Sequence, residues 1–359
     1  MAVAAGNTAL LLWSTAAAAI AGGTAMWARL AWRGVDVAAR FRPTRAFVNE
    51  PVMLRVHISN RKRMPLPLVR LSVWLPSGLR AARASEPAAS RTFRRRLSLA
   101  GRSAITLDLP VLPQRRGEYW LERIRVELSD PFELAPVHRE LVPDTDLLVM
   151  PEPRIQVPAA IRRRLPFGAP APSQRMFEDR ERLAGVRPYE PGVPLNRVHW
   201  KVSAHTGRLQ IKLFEPSRSA RVHLALDLAT GEPFWDSIYP EIAEDVIGWA
   251  SFVAHQAIDA GWRVGLVANT HLSRGRGPIR VPASTARGHE AALFAALARM
   301  PNEATSDLAP ILRVTGRDLG REATVVVLSA KPGRWLRHEM TVLRRRGAEV
   351  VHLSPLEVA

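Results

Sequence analysis

The chain contains no cysteine. Disulfides, zinc–thiolate centres and thiol nucleophiles are therefore excluded, while nothing follows about compartment. Catalytic motifs are missing too. There is no Walker A run and no G-x-S-x-G elbow. His289-Glu290 and His338-Glu339 each open like a zinc-binding helix, but the positions where the second histidine must fall hold Leu293 and Val342. Gly275 and Gly277 lack the third glycine of a dinucleotide loop. No helix-turn-helix, zinc finger or aromatic RNA-binding signature is present, so nucleic acid is not an expected partner. These gaps argue against an enzyme.

Charge is missing locally and abundant globally. Residues 2–28 carry no charged side chain, while the whole chain has a formal net charge of +18. The excess is +10 over residues 29–150, +7 over 151–220 and +1 over 221–359. The positive charge thus sits in the first half. It reads either as a solvated basic face or as a surface attracted to anionic lipid, to which each juxtamembrane Lys or Arg contributes roughly 1 kcal/mol.

The uncharged stretch over residues 8–27 has about the 20 residues a transmembrane helix needs, with Trp13 and Trp27 placed for the interfaces. A cleaved signal peptide is the rival reading, but such a leader has a basic region before its apolar core, and here the first charge is Arg29. An uncleaved single-pass anchor, residues 1–34 with its basic flank, is expected. Arg29, Arg33, Arg40, Arg42 and Arg45 follow the span and put the remainder on the cytoplasmic side.

From residue 35 to 150 the period becomes two. Val52, Leu54, Val56 and Ile58 fall at every second position, as do Val69, Leu71, Val73 and Leu75, then Ile124, Val126 and Leu128. Turn-forming runs separate them, which predicts an antiparallel β-sandwich. Asp130-Pro131 reads as turn chemistry. Residues 151–186 read as a proline-rich extended connector, with Pro151, Pro153, Pro158, Pro166, Pro170 and Pro172 opposing a helix.

Residues 187–218 are the densest in chemistry. Pro188, Pro191, Gly192 and Pro194 fix turns and forbid a helix. Leu209, Ile211 and Leu213 then alternate like a half-buried strand. His199, between Trp200 and Lys201 at this turn-to-strand junction, reads as packed and hydrogen-bonded before it reads as a general base. The matched residues Arg187, Tyr189, Pro191, Gly192, Arg197, His199, Trp200, Lys201, Ser203, Ala204, Gly207, Leu209, Phe214 and Glu215 resemble the signature of the bacterial "domain of unknown function 58" family. Val193 stands where the family has Asp, and His205 where it has Arg. The run ending in Asp130-Pro131-Phe132-Glu133-Leu134 also resembles the family, with Glu133 in place of its Gly. The resemblance covers about residues 45–355.

Beyond residue 219 strands alternate with helices: strands at 222–227, 263–268, 324–328 and 348–353, helices at 241–259, 289–300 and 334–346. Such alternation implies a mainly parallel sheet wrapped by helices. The resemblance implies that residues 219–359 are a von Willebrand factor A-like α/β (Rossmann-like) domain, following an immunoglobulin-like β-sandwich in an α+β multidomain chain. An A domain holds Mg²⁺ after its first strand through D-x-S-x-S. Here Asp227 is followed by Ala229 and Gly231 in the hydroxyl positions, with Thr230 out of phase. The expectation is a degenerate metal-ion-dependent adhesion site, Asp227 remaining as a polar cap on the sheet edge and no cofactor being held.

The resemblance also implies a protein of the bacterial inner membrane that works beside a MoxR-type AAA+ ATPase in assembling or remodelling complexes. In that reading the chain is a non-enzymatic scaffold or adaptor. Its contacts come from Arg187, Tyr189, Arg197, His199, Trp200 and Lys201 rather than from a shared metal. Two other readings remain open at this stage: a membrane-tethered binder of anionic lipid or polyanion, and a divalent-ion-dependent adhesion module.

Overall fold

The computed structural model describes residues 2–82, 91–153, 157–165, 177–190, 198–217, 221–235, 239–272, 277–319 and 323–358. The chain divides into two compact units, Met1–Pro151 and Glu152–Ala359.

The first unit opens with helix α1 (Ala2–Leu30). Within it Leu10–Leu30 is long and apolar enough to cross a membrane, and it is exposed over most of its length, with Trp27 near its end partly buried. Among the described residues eleven strands follow: β1 (Val35–Arg42), β2 (Arg45–Phe47), β3 (Val52–Asn60), β4 (Leu66–Trp74), β5 (Leu79–Ala81), β6 (Thr92–Leu99), β7 (Ser103–Pro113), β8 (Gly117–Trp120), β9 (Arg123–Ser129), β10 (Val137–Leu141) and β11 (Asp146–Met150). Two antiparallel sheets, ordered β1-β3-β7-β5 and β10-β9-β4-β6, share one core, and β2-β11-β8 forms a small third sheet. The predicted alternation is what packs them. Val52, Leu54, Val56 and Ile58 of β3 are fully buried, as are Val69, Leu71 and Val73 of β4 and Ile124, Val126 and Leu128 of β9. Each such side chain removed from water contributes about 1.5–3 kcal/mol. Asp130 makes the turn its sequence suggested: one carboxylate oxygen accepts from the Phe132 N–H at 2.9 Å and the other from the Ala135 N–H at 2.7 Å. Glu133, where the resembling family has glycine, takes a left-handed φ of 58°.

In the second unit residues 151–186 are not simply an extended connector. They contain a short helix, α2 (Ala159–Arg164), and most of a long strand, β12 (Phe177–Pro188). Three residues in a row between Pro158 and Pro166 are arginines, and α2 fits between these prolines because neither lies in its interior. The signature region departs from expectation as well. Between β12 and its antiparallel partner β13 (Gln210–Ser217) lies a helix, α3 (Trp200–Thr206). The prolines end six residues before it, so their exclusion of a helix does not reach Trp200.

The remainder is an open α/β sheet: β14 (Arg221–Asp227), α4 (Pro240–Asp259), β15 (Arg263–Ala268), β16 (Ile279–Ser284), α5 (His289–Arg299), α6 (Leu308–Asp318), β17 (Thr324–Ser329), α7 (Arg334–Arg345) and β18 (Glu349–Leu353). The order is β16-β15-β14-β17-β18, parallel throughout except for the antiparallel edge strand β16. Ala225, Val267, Val325 and Val327 pack against Leu308, Leu312, Leu336, Met340 and Leu343 of α6 and α7. Their alternate neighbours turn to the opposite face, where α4 packs on β14, β15 and β17. Two elements, α6 and β16, have no counterpart in the sequence reading. Helix α6 contains Pro310 and Gly316. Pro310 sits in its first turn, where an N–H is dispensable. A Cβ on Gly316 would come within 2.6 Å of the Leu343 side chain, so glycine lets α6 and α7 close together.

Candidate functional site

Ligands of open α/β sheets lie beyond the carboxyl ends of the strands, where the chain reverses its direction of travel across the sheet. Here that point is between β14 and β17. Helix α4 leads from β14 to its neighbour β15 on one side, whereas β17 lies on the other. Asp227 ends β14 and pairs in register with Ser329, which ends β17.

Asp227 is almost completely buried, with 6% of its surface exposed. One oxygen accepts from Asn269 Nδ2 at 2.8 Å and from the Ala229 N–H at 3.2 Å; the other accepts from the Ser329 hydroxyl at 2.9 Å. Asn269, one residue past β15, also accepts from the Leu228 N–H at 2.9 Å and donates to the Ser306 carbonyl at 3.0 Å. It therefore ties the loops after β14 and β15 and the segment before α6 to one carboxylate. Burial pushes the Asp227 carboxyl up to about 6, the three donors pull it down, and the nearby Asp307 charge adds to the rise. Sequence reasoning missed Asn269. The available signal was its place as the first polar residue after an apolar strand.

The cleft over Asp227 is lined by Glu232, Phe234, Asp307, Lys331 and Trp335 and holds about 50 Å³. That is far below the roughly 300 Å³ at which small-molecule pockets begin. Large aromatic side chains stand exposed on the same loops and helices: Trp235, Tyr239 and Trp335 are each more than half exposed, with the Arg334 guanidinium 4.5 Å from the Trp335 ring centre.

Against an octahedral Mg²⁺ site these residues do not fit. The two hydroxyl positions after Asp227 are Ala229 and Gly231. Thr230 faces elsewhere, its hydroxyl accepting from the Tyr239 N–H at 3.0 Å before α4. Among the described residues no three His, Asp or Glu side chains converge as metal ligands.

The signature residues form a second locality. His199 is the N-cap of α3, its Nδ1 accepting from the Val202 N–H at 3.3 Å, while its own N–H donates to the Gln210 carbonyl at 2.7 Å. It is thus a structural cap rather than a member of a turn-to-strand junction. Ser203 is buried, and its hydroxyl accepts from the Gln210 N–H at 2.8 Å, which pins α3 to β13. Gly207 ends the helix with a left-handed φ of 66°, the usual glycine C-cap. Much of the signature therefore specifies one capped turn of helix between two strands. Tyr189 is half-buried, its N–H donating to the Leu209 carbonyl at 2.9 Å. Arg187 is exposed, 3.7 Å from Glu190. Trp200 and Lys201 stand exposed on the first turn of α3, Trp200 at 62%. Arg197 and Val193 lie outside the described residues.

The histidines of the abandoned zinc pattern have other work. His289 Nε2 donates to the Val264 carbonyl at 2.6 Å, and Glu339 is buried against Arg313, whose Nε donates to it at 2.6 Å.

Comparison with known proteins gives the following. The model of the family described as "Protein of unknown function DUF58" matches residues 185–356. "Uncharacterized protein YeaD" of Bacillus subtilis is 26% identical over 221 residues, covering 60% of this chain and 51% of that one. "Uncharacterized protein Rv1480" of Mycobacterium tuberculosis is 26% identical over 177 residues, 48% of this chain and 53% of that one. The chain spans about half the length of the curated relatives it matches. Among solved structures, the CARDB domain of the PF1109 protein from Pyrococcus furiosus is 18% identical, covering 32% of this chain and 93% of that one at a TM-score of 0.21, too low to carry any argument.

Proposed function

We propose that this chain, which belongs to the DUF58 family through residues 185–356, is a membrane-anchored, non-enzymatic adaptor whose partner-binding surface is apolar and independent of metal. One observation carries the reading. At the carboxyl edge of the sheet, where chemistry on such folds is ordinarily found, the buried carboxylate of Asp227 is engaged by Asn269, Ser329 and Ala229, while Trp335, which lines the cleft above it, and Trp235 and Tyr239 on the loop that follows β14 are left exposed. Exposed tryptophan and tyrosine beside an arginine are the composition of interaction hot spots. A carboxylate turned inward supports packing, not turnover.

The strand order with its antiparallel edge is compatible with a von Willebrand factor A-like domain, and the alternating sheets of the first unit with an immunoglobulin-like sandwich. Helix α1 is read as a single membrane span, with the arginines after it on the cytoplasmic side. Family resemblance supplies the partner: a MoxR-type AAA+ ATPase, held by Trp335 and its neighbours and by Trp200 and Lys201. The metal-dependent adhesion reading is not favoured, because Ala229 and Gly231 offer no side-chain hydroxyl. The test is capture of the ATPase by tagged full-length protein from its native membrane. Recovery should survive a chelator and fall at least several-fold with Trp335→Ala or Trp200→Ala, with folding intact by circular dichroism. Recovery abolished by chelator, or unchanged in both folded variants, defeats the proposal.

A further inference from the structure

Four features of the first unit come together at one end of the sandwich. The first is the exit of α1. Lys62, in the turn after β3, donates from Nζ to the Leu30 and Ala31 carbonyls, a cation on the helix C-terminus. The Arg61 N–H donates to the Gly34 carbonyl at 2.7 Å. Trp27 and Trp32 pack on the sandwich core, and the Arg139 guanidinium lies 4.8 Å from the Trp32 ring centre. The helix is therefore fixed to the sandwich at its last turn rather than hung from a linker.

The second feature is the turn between β3 and β4, and the third is the turn between β6 and β7. They are bonded together: Asn60 Nδ2 donates to the Met64 and Ala100 carbonyls, each at 2.9 Å, and the Arg102 N–H donates to the Lys62 carbonyl at 2.8 Å. They carry Arg61, Arg63 and Arg102 outward, beside Arg29 and Arg33 of the helix exit. Arg61 pairs with Asp36 at 2.8 Å. Arg29, Arg33, Arg63 and Arg102 make no ion pair among the described residues.

The fourth feature is the turn between β9 and β10. The register Leu68↔Ser129 and Val137↔Leu128 brings it to this same end. Its backbone is held by Asp130, and it presents Phe132 at 66% and Leu134 at 62% exposure. Two large apolar side chains projecting from a rigid polar turn lack a reason within the unit itself.

We propose that this end of the sandwich rests on the bilayer that α1 enters, with Phe132 and Leu134 inserted among the headgroups and Arg29, Arg33, Arg63 and Arg102 on anionic phospholipid. The inference rests on the reading of α1 as a membrane span. An apolar helix fixed at its end to the sandwich brings the surrounding turns to the headgroup level; exposed apolar tips take the interface and unpaired arginines take the phosphates. The membrane would then hold the sandwich in one orientation.

The absence of cysteine makes a clean test. Full-length Leu134→Cys, Val142→Cys and Leu12→Cys are each labelled with an environment-sensitive fluorophore. They are reconstituted into phosphatidylcholine vesicles with and without phosphatidylglycerol, with nitroxide quenchers on the lipid chains. Val142 lies at the opposite end of the sandwich and is freely exposed. The expected result is several-fold stronger quenching at position 134 than at 142 in the anionic vesicles. Arg63→Glu with Arg102→Glu should weaken it toward the value in phosphatidylcholine alone. A label at 134 as unquenched as that at 142, with position 12 quenched, overturns the docking while leaving the anchor. An unquenched position 12 removes the anchor and the docking with it.

Discussion

Each unit buries one aspartate at the end of a strand, and the two are used differently. Asp130 follows β9 and accepts two backbone N–H groups of its own turn, within five residues of itself. Asp227 ends β14 and is reached by Asn269, just past the end of β15, and by Ser329 at the end of β17, 42 and 102 residues away in the chain. The first is local and shapes a projecting tip. The second is distant, joins three strand ends and lies beneath a cleft. What this teaches is that a D-P turn can be read from its own neighbours, whereas a strand-end carboxylate has no meaning until the sheet has assembled around it.

The largest effect expected from this contrast is Asp130→Ala. It leaves the Phe132 and Ala135 N–H groups without their acceptor, and a hydrogen bond to a charged group contributes about 1.5–3 kcal/mol. A loss of about 3 kcal/mol, confined to the first unit, should appear as reduced hydrogen-exchange protection of the β9 and β10 amides in full-length protein. Protection within experimental error of the parent would mean that the turn holds itself and that Asp130 is incidental.

Asp227 should answer to pH instead. Its carboxyl is pushed up to about 6, chiefly by burial. Between about pH 4 and 6 the folded state therefore keeps a proton the unfolded chain has released, and this contribution to stability declines as pH rises through that window. His223, on the same strand, is pushed down to about 4, first by burial and then by the Arg221 and Arg280 charges. It stays neutral where the unfolded chain is protonated, so its contribution is full above about 6.5 and is lost as pH falls toward 4. The two slopes oppose, each on the order of 3 kcal/mol from about 1.4 kcal/mol per unit. The second unit of the parent should thus have a shallow profile from pH 4 to 6.5. Asp227→Asn should steepen the loss toward acid, and His223→Gln should reverse it. Chemical denaturation followed across that range checks both signs; parallel profiles for all three proteins would remove the argument.

The same contrast between local and distant partners explains what could be read from the sequence. Strands β3, β4 and β9 were legible because alternate residues such as Val52, Leu54 and Val56 face one core, and that periodicity needs no knowledge of a partner. Strands β14, β15 and β17 were legible as short apolar runs between helices. Strand β12 was not: Glu178, Asp179, Arg180, Glu181 and Arg182 give it no apolar face, and it exists through pairing with β13. Strand β16 contains Pro282, tolerable because it is an edge strand, a fact that only the sheet order supplies. Helix α6 was hidden by Pro310 and Gly316, the second of which is required by Leu343 of another helix. At the cleft, Asp227 and the loss of hydroxyls at Ala229 and Gly231 were readable, while Asn269 was not. In the signature, Pro188, Pro191 and Pro194 predict turns and oppose a helix, yet their steric effect ends well before Trp200.

The smallest effect separates residues that build the signature helix from those it displays. Ser203→Ala removes the acceptor of the Gln210 N–H and the tie between α3 and β13; one hydrogen bond of this kind is worth about 1 kcal/mol. Trp200→Ala removes a side chain that is mostly in water, and surface substitutions ordinarily stay within about 0.5 kcal/mol. Stability should therefore fall measurably in the first variant and hardly in the second, while partner capture should fall in the second. Ser203→Thr, which keeps the hydroxyl, should recover part of the lost stability. If Trp200→Ala were instead the more destabilising change, its ring would be packed in the native protein, and the signature helix would have to be regarded as structural on both faces.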